Sequence, residues 1–363
     1  MAPAHTQAFE DAIAVTPLTS HTYAACLREE WCIGAVPHGG YTTALLYRLS
    51  TTHFAHTHPA LYAGSAPTPI SMQLTFLRRT AAGPALLRVE DTKLGARTST
   101  IHVTLSQSQP AGGSKDNYST SVKVAGYITL SAPSAEIGPT IPMDWALYPP
   151  PPPGSGSASG FASVDLVKLG ETGRDGYWVR TVPAFPDFRR AAANVEVFGP
   201  VDSRRRGIID QWARLRPVVE YGDGDGEMKK KKKEEEEEKG RWTNEAVAFL
   251  IDMFPMVLDS FDRMSTESES ETETDRERTM GEVKVKAKYW YPTVSLNVDF
   301  KKRLPAQGVE WLYSRVHTKV LCDGRTDLDV VVLDETGDVV ALSTQVGLVV
   351  SAGRNVAGRR VKI

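Results

Sequence analysis

Apolar residues recur at helical spacing in two stretches of the chain, one in each half. From Gly40 to about Thr52, the apolar surface is supplied by Ala44, Leu45, Tyr47 and Leu49. In "TNEAVAFLIDMFPMVLD" it is supplied by Val247, Leu250, Ile251, Phe254 and Leu258. Spacings of three and four residues place side chains on one face of a helix. The pattern therefore predicts one helix in each half.

Strand-like segments follow both helices and resemble one another. "MQLTFLRRT" (Met72–Thr80) and "LNVDFKKRL" (Leu296–Leu304) are each a strand that ends in a basic cluster. Two further stretches each have a glycine and an arginine followed by alternating residues, a turn and a second strand. The first is "LGARTSTIHVTLSQ" with "VAGYITLSA" after a loop, and the second is "CDGRTDLDVVVLDETGDVVALSTQVGL". "DETGD" predicts a tight turn in the later copy. Both pairs recur in the same order, which predicts two similar halves.

One helix and several antiparallel strands per half predict an α+β fold in which a sheet wraps around a central helix. We expect an N-terminal unit over 8–135, a linker rich in proline, glycine and serine over 136–175, and a C-terminal unit over 176–353. Two charged, repetitive stretches near 222–240 and 264–280 are predicted to be disordered insertions.

Charge and cysteine content narrow the function. A net charge of −2 gives no overall attraction to nucleic acid or anionic membranes, and the three cysteines lack the spacing of a zinc cluster. We predict no metal and no nucleic-acid partner.

No stretch approaches the ~20 apolar residues of a membrane span. The N-terminus lacks a signal-peptide pattern, and the chain ends in "VKI" rather than a peroxisomal signal. These features predict a cytoplasmic protein.

Six motifs occur in the order known from one family. They are "WCIGAVPHGGYTTALL", "LTFLRRT", "KLGARTST", "FLIDMFP", "YPTVSLNVDF" and "VVALSTQVGLV". Together they resemble the acyl-CoA thioesterase II (TesB-like) family of double-hotdog proteins, particularly its fungal thioesterase-like branch. The resemblance covers nearly the whole chain except the linker and the charged insertions. It implies a tandem hotdog fold and hydrolysis of acyl-CoA, without a cofactor, by an activated water.

The resemblance also implies that Asp252, Thr293 and Gln345 hold the water. This chain differs from the bacterial members in three places: it has "PHGGYTT" at the glycine turn, a shorter segment between Asp252 and Pro255, and a long insertion between Asp252 and Thr293. The trio suits the chemistry, since a thiolate with a pKa of roughly 8.5 leaves without a strong acid. A base and an oriented water are then sufficient. The alternative is that the three residues are ordinary polar residues of a helix margin and two strands.

Substrate binding is predicted at the glycine turn and at basic side chains. Gly39 and Gly40 would let the backbone approach the substrate, and N–H groups at the helix start would face the thioester oxygen. His38 is a candidate substrate contact. The alternative is a tight strand-to-helix turn without a ligand. Among the basic residues, Arg78 and Arg97 are predicted to contact the phosphates of coenzyme A.

Two other functions remain open at this point. One is a non-catalytic double hotdog that binds acyl chains or partner proteins. The other is a hydratase or dehydratase, which requires a histidine paired with an aspartate across the cleft, for which His38 is the suggestive histidine. For the thioesterase we expect medium- to long-chain acyl groups, because an apolar tunnel would gain about 0.8 kcal/mol per buried methylene. The acyl carrier and the oligomeric state, including a homo-oligomer, stay open.

Overall fold

The structure is a computed structural model that describes residues 9–62, 65–110, 118–156, 160–183, 185–201, 207–216, 240–253 and 287–355. Its α-helices are α1 (Phe9–Ala12), α2 (Gly39–Thr57), α3 (Leu166–Thr172), α4 (Arg190–Ala193) and α5 (Asn244–Leu250). Short 3-10 helices cover Glu29–Trp31, Pro133–Ala135, Gly160–Ser163 and Ala352–Arg354. None of the helices in these ranges combines the length and apolarity that crossing a bilayer requires.

The strands fall into two sets along the chain. The first set is β1 (Thr16–Pro17), β2 (Thr22–Leu27), β3 (Cys32–Ile33), β4 (Val36–Pro37), β5 (Thr68–Phe76), β6 (Gly83–Lys93), β7 (Ser99–Pro110) and β8 (Tyr118–Ser131). The second set is β9 (Arg174–Asp175), β10 (Trp178–Thr181), β11 (Val195–Pro200), β12 (Ile208–Leu215), β13 (Tyr289–Trp290), β14 (Thr293–Phe300), β15 (Leu312–His317), β16 (Leu321–Cys322), β17 (Arg325–Leu333), β18 (Val339–Leu348) and β19 (Val350–Ser351).

Fifteen of the described strands form one antiparallel sheet with an internal symmetry. The order is β1-β2-β6-β7-β8-β5 in the first half and β14-β18-β17-β15-β12-β11-β10-β9 in the second, with β16 beside β17. β5 pairs with β14 and joins the halves, with Gln73 opposite Asn297. Outward from this join, β8, β7, β6 and β2 correspond to β18, β17, β15 and β12. This symmetry confirms the predicted double hotdog and both pairs of sequence repeats.

The two central helices pack on each other and on the sheet in one hydrophobic core. α2 is longer than predicted and ends at Thr57. It is buried around most of its circumference, as expected of a helix between a sheet and a second helix. The Thr243 side chain caps α5 by accepting a hydrogen bond from the Ala246 N–H. Phe254 and Leu258, which were predicted to extend this helix, lie outside the described residues.

The end of the predicted linker is packed structure. A second core, on the β12 and β15 side of the sheet, contains Trp178, Trp212 and Tyr313 at 0–1% exposure. Leu169 of α3 is buried in this core, and Phe161 packs against it. Composition suggested a linker here, but these apolar side chains cover aromatic rings on the sheet. The predicted boundary at 175 is therefore too late for the packed structure.

The remaining predictions from the sequence divide between described and undescribed residues. "DETGD" forms the predicted turn between β17 and β18, in which the Gly337 N–H bonds the Asp334 carbonyl at 3.0 Å. Gly337 has a φ of +90°, a conformation that glycine adopts without strain. The charged stretches near 222–240 and 264–280 lie outside the described residues, apart from residue 240.

Candidate active site

A cavity of about 280 Å³ lies where the two halves meet. From the first half it is lined by His38, Gly39 and residues 76–80, and from the second by Asp252, Met253 and residues 289–294. Further lining residues are mostly apolar: Ile33, Val36, Pro37, Phe188, Arg189, Ala192 and Leu348. Such a cavity, apolar with a few polar groups on one wall, is typical of a small-molecule site.

Asp252 is the polar centre of this wall. It lies two residues after the end of α5 and is 4% exposed. Its Oδ2 accepts a hydrogen bond from the Gly40 backbone N–H at 2.7 Å, and its Oδ1 accepts one from Thr293 Oγ1 at 3.0 Å. The first half therefore supplies one donor to this carboxylate and the second half supplies the other.

A β-bulge aims Thr293 at Asp252. β14 and β18 change register here, because Thr293 lies opposite Gly347 whereas Ser295 lies opposite Val346. Val294 is the extra residue. Bulges of this kind redirect a side chain and are common beside active sites. The local geometry thus brings together two residues that lie 41 positions apart in the sequence.

Gly39 and Gly40 make room for the end of α5. A Cβ on Gly39 would lie 2.5 Å from Asp252 Oδ2, and a Cβ on Gly40 would lie 2.5 Å from the Phe249 carbonyl oxygen. The Gly40 N–H is also donated to Asp252 and not to the cavity. The sequence predicted that both glycines open the backbone to a substrate. For Gly40 this prediction is wrong, since the chain packs its own second half there; Gly39 does line the cavity.

His38 is the N-cap of α2 and is buried beside the carboxylate. Its Nδ1 accepts a hydrogen bond from the Gly40 N–H at 3.1 Å and lies 3.6 Å from Asp252 Oδ2. Because Nδ1 accepts, the neutral ring carries its proton on Nε2. His38 therefore shares the Gly40 N–H with Asp252.

Burial shifts the pKa of both titratable groups. It raises the pKa of Asp252 to about 7, although the hydrogen bonds from Thr293 and Gly40 act in the opposite direction. It lowers the pKa of His38 to about 4, against the effect of Asp252. Near neutral pH, His38 is uncharged and Asp252 is divided between its two protonation states. A carboxylate poised near neutrality suits a general base.

Gln345 bonds the residue that precedes Asp252 and is not among the residues that line the cavity. Its Nε2 donates to the Ile251 carbonyl at 2.8 Å, and the residue is 4% exposed. Its Oε1 is buried and has no hydrogen-bond partner among the described residues. A buried acceptor without a partner calls for an explanation, and a bound water would supply one.

The predicted phosphate-binding arginines separate in the structure. Arg78 lines the cavity, and its Nη1 donates to the Val122 carbonyl at 3.0 Å. Arg97 is not among the cavity-lining residues, and its Nη2 donates to the Ile137 carbonyl at 2.8 Å. The structure therefore brings His38, Gly39, Arg78, Asp252 and Thr293 together and leaves Arg97 apart.

Sequence reasoning missed the aromatic wall, beside which Arg79 lies. Tyr289, Trp290 and Tyr291 line the cavity directly before Thr293. The guanidinium of Arg79 lies 5.4 Å from the centre of the Trp290 ring and donates to the Arg354 carbonyl at 2.7 Å. The "YWYPT" run was the available signal, since it contains three consecutive aromatic residues.

Two family models match the chain. The model of the acyl-CoA thioesterase N-terminal domain matches residues 27–131, and that of the acyl-CoA thioesterase C-terminal domain matches residues 164–349. The second match includes the end of the predicted linker, in agreement with the packing of α3.

Individual proteins are similar over nearly the whole length. The thioesterase-like protein TwmA of Talaromyces wortmannii is 28% identical, and the alignment covers 96% of this chain and 93% of that protein. A hot dog fold protein of unknown function from Alicyclobacillus acidocaldarius has 17% identity and a TM-score of 0.59, covering 95% of this chain and 99% of its own. Acyl-CoA thioesterase II TesB2 from Mycobacterium marinum has 16% identity and a TM-score of 0.51, covering 95% and 98%. At these identities the two structures show the fold alone.

Proposed function

The chain belongs to the acyl-CoA thioesterase family and is a thioester hydrolase, and we propose that Asp252 activates the attacking water and that the substrates are medium- to long-chain acyl-CoA esters. The observation that supports the site most strongly is a buried carboxylate on the cavity wall with a pKa of about 7. A general base is most effective when its pKa lies near the operating pH, and a carboxylate with a pKa of about 7 meets this condition.

In the proposed reaction, ionised Asp252 takes a proton from a water that attacks the thioester carbonyl carbon. The C–O bond forms as the carbonyl π electrons move to oxygen. Collapse of this tetrahedral intermediate breaks the C–S bond and releases the thiolate, a good leaving group. The proton held by Asp252 then returns to the thiolate or to solvent. No covalent intermediate with the protein is needed.

Thr293 and Gln345 have different roles in this proposal. Thr293 donates to Asp252 Oδ1 and so holds the carboxylate in one orientation. Gln345 offers its buried Oε1 as an acceptor for one hydrogen of the water, while its Nε2 stays bonded to the Ile251 carbonyl. Ile251 adjoins Asp252, so this bond also fixes the segment that carries the base.

The proposed substrate class follows from the cavity lining. The apolar side chains of Ile33, Phe76, Phe188 and Leu348 favour an acyl chain. Arg78 is the proposed contact for a coenzyme A phosphate, because it lies on the same cavity and carries a permanent positive charge. Arg97 is not part of this proposal.

Thiol release from acyl-CoA esters of graded chain length tests the substrate class. We expect kcat/KM to rise about fourfold per methylene, the equivalent of 0.8 kcal/mol, until the cavity is filled. Leu348→Trp should shorten the preferred chain, because this side chain lines the cavity. Leu321→Trp is the matched control, since Leu321 is 41% exposed and does not line the cavity. A preference for the shortest esters that Leu348→Trp leaves unchanged would contradict the proposal.

One observation favours a second function, since His38 and Asp252 adjoin each other as in an acid–base pair for hydration. Their nearest atoms are 3.6 Å apart, but His38 Nδ1 is occupied as an acceptor for Gly40. At this separation the two groups lie side by side on one wall of the cavity. The hydratase function requires them to face each other across the cleft. Incubation with a 2-enoyl-CoA distinguishes the functions: loss of the conjugated double bond without thiol release would support hydration.

A further inference from the structure

Three histidines and one aspartate converge at the C-terminal end of α2. Nε2 of His21 and Nε2 of His58 lie 3.0 and 2.8 Å from Asp91 Oδ2, and Nε2 of His53 lies 2.9 Å from Asp91 Oδ1. One ligand atom from each residue lies within 4.8 Å of the others. We propose that these four residues bind a divalent transition-metal cation, with Zn²⁺ as the best fit.

The ligand set has the chemistry and size that Zn²⁺ requires. Imidazole nitrogen and carboxylate oxygen are both zinc ligands, and four of them complete a tetrahedral site. Bonds of about 2.0–2.1 Å place tetrahedral ligand atoms about 3.3 Å apart. The three nitrogen–oxygen distances are 2.8–3.0 Å, so small side-chain rotations, without backbone movement, would open a space for the cation.

Outer contacts orient two of the histidines as in metal sites. His53 Nδ1 lies 2.8 Å from the Tyr23 hydroxyl, which itself donates to the Ser20 carbonyl at 2.9 Å. In the tautomer with the proton on Nδ1, the hydroxyl accepts from His53 Nδ1–H and gives its own proton to that carbonyl. His53 Nε2 then presents a lone pair towards Asp91, an arrangement that a cation between them stabilises. His21 Nδ1 likewise has Ser20 Oγ at 2.9 Å. Such partners are typical of metal-binding histidines.

One side of the histidine cluster is buried in the protein, and another side is open to solvent. His53 is fully buried, whereas the His21 side chain is 41% exposed, which gives an ion a route from solvent. The C-terminal end of a helix also carries partial negative charge that favours a cation. Three separate segments meet here, since His21 precedes β2, His53 and His58 lie at the end of α2, and Asp91 lies on β6. A bound cation would fasten the β2–β6 edge of the sheet to the helix.

This site is remote from the candidate active site. Thirteen residues of α2 separate Gly40 from His53, which corresponds to about 20 Å along the helix axis. The cation would therefore act on stability and not on the thioester reaction. The histidine-rich tract "HFAHTH" was the available sequence signal, although the prediction from the sequence was that the chain has no metal site.

The test uses the full chain without an affinity tag, stripped by a chelator and then equilibrated with Zn²⁺. We expect one equivalent of bound zinc per chain by elemental analysis and a higher melting temperature. Co²⁺ in place of Zn²⁺ should give the intense visible absorption of a tetrahedral site. His58→Gln and His21→Gln should each lose the bound equivalent. His56→Gln is the matched control, because His56 lies in the same tract, is exposed and is outside the cluster.

Two results would overturn the proposal. One is less than half an equivalent of zinc on the folded parent chain, and the other is unchanged binding in both cluster variants. Either result would mean that the imidazoles donate Nε2–H to Asp91 in a metal-free group. Because His21 is substantially exposed, His21→Gln is expected to fold even if His58→Gln does not, and circular dichroism checks both. Thiol release measured well below the melting temperature should be the same with and without zinc.

Discussion

The two central helices meet at two corners that the internal symmetry relates, and only one corner has the features of an active site. At the first corner, the Gly40 N–H at the start of α2 donates a hydrogen bond to Asp252, which follows α5. At the second, the start of α5 receives Arg48 from α2, whose Nη2 lies 3.4 Å from Glu245 Oε1. At both corners, the start of one central helix contacts a side chain from the segment of the other.

The difference between the corners lies in a few residues. The first has glycines that admit a carboxylate and a backbone N–H to hold it. The second corner has Thr243 as the N-cap of α5. Beside it, Asn244 Oδ1 accepts a hydrogen bond from the Leu304 N–H at 2.8 Å. An ion pair with 33% and 18% exposed side chains replaces a buried single carboxylate. Under the proposed assignment of Asp252 as the base, the comparison indicates that reactivity depends on a buried carboxylate that is held by two neutral donors, the Gly40 N–H and the Thr293 hydroxyl, rather than by an opposite charge.

Asp252→Asn should have the largest effect on turnover, because the amide keeps the shape of the side chain but removes the base. We expect turnover to fall about 10²- to 10⁴-fold with little change in KM. Since folding holds the pKa at about 7 against an ordinary 3.8, the native state binds more protons than the unfolded state between these values. Parent stability therefore declines as pH rises through this window, and the variant lacks that decline. Thiol release and thermal melts at pH 5 and pH 8 measure both effects. Parent-like turnover in the folded variant would refute the assignment of the base.

Gly39→Ala should displace the carboxylate while the fold persists. The added Cβ would lie 2.5 Å from Asp252 Oδ2, the end of a side chain that can move. Misplacing a catalytic group by an ångström can cost about 100-fold, so we expect turnover to fall about 10- to 100-fold. Gly138→Ala is the matched control, because its added Cβ would meet nothing within 4 Å. Equal activities of the two variants would show that the approach of Gly39 to Asp252 does not matter.

The pH dependence should sharpen the comparison by assigning the titrating group. We expect kcat/KM to rise about tenfold between pH 6 and pH 8, since Asp252 must be ionised and its pKa is about 7. His38 has a pKa of about 4 and stays neutral throughout this range. His38→Asn should therefore retain the rise near pH 7. If the rise disappears in His38→Asn but stays in Asp252→Asn, the histidine is the base.

Thr293→Val should have a smaller effect on the same curve. The hydroxyl donates to Asp252 Oδ1 and lowers its pKa, so its loss should move the rising limb to higher pH. At neutral pH we expect turnover to fall by up to about tenfold, with partial recovery at pH 9. Thr293→Ser keeps the hydroxyl and should retain the parent profile. A Thr293→Val profile that is lowered equally at every pH would contradict this role.

Glu245→Gln should have the smallest effect, because it changes the corner without an active site. We expect parent turnover and a change in unfolding free energy of less than about 1 kcal/mol, as is usual for partly exposed ion pairs. Thiol release and urea unfolding are sufficient measurements. A loss of turnover comparable to that of Gly39→Ala would mean that the second corner takes part in the reaction.

Local patterns in the sequence predicted much of the fold. The predicted core residues Ala44, Leu45 and Leu49 of α2 are buried, and the repeated basic-ended strands do pair as β5 and β14. Alternation and repetition are properties of neighbouring residues, so they can be read without coordinates. The packed end of the linker was missed because its proline and glycine content concealed a few apolar side chains that cover Trp212 and Tyr313.

The candidate site depended on contacts that no local pattern contains. Asp252 and Gly40 are 212 residues apart, and the bulge at Val294 that aims Thr293 is visible only in the strand register. The family resemblance named Asp252, Thr293 and Gln345 but not the N–H that holds the carboxylate. The sequence placed Arg97 with Arg78, although the structure separates them, because basic residues on strand ends look alike without their neighbours.

Both corners are part of one polypeptide, because the two halves lie in tandem in a single chain, and this has a genetic consequence. In a symmetric dimer of identical chains, a residue that improves one corner is encoded at the other as well. A gene that encodes both halves in tandem is free of that constraint, so Asp252 can lie at one corner and Arg48 at the other. Selection can then act on catalysis in one half and on cohesion in the other. Each such gene product would carry one reaction centre and turn over one substrate at a time.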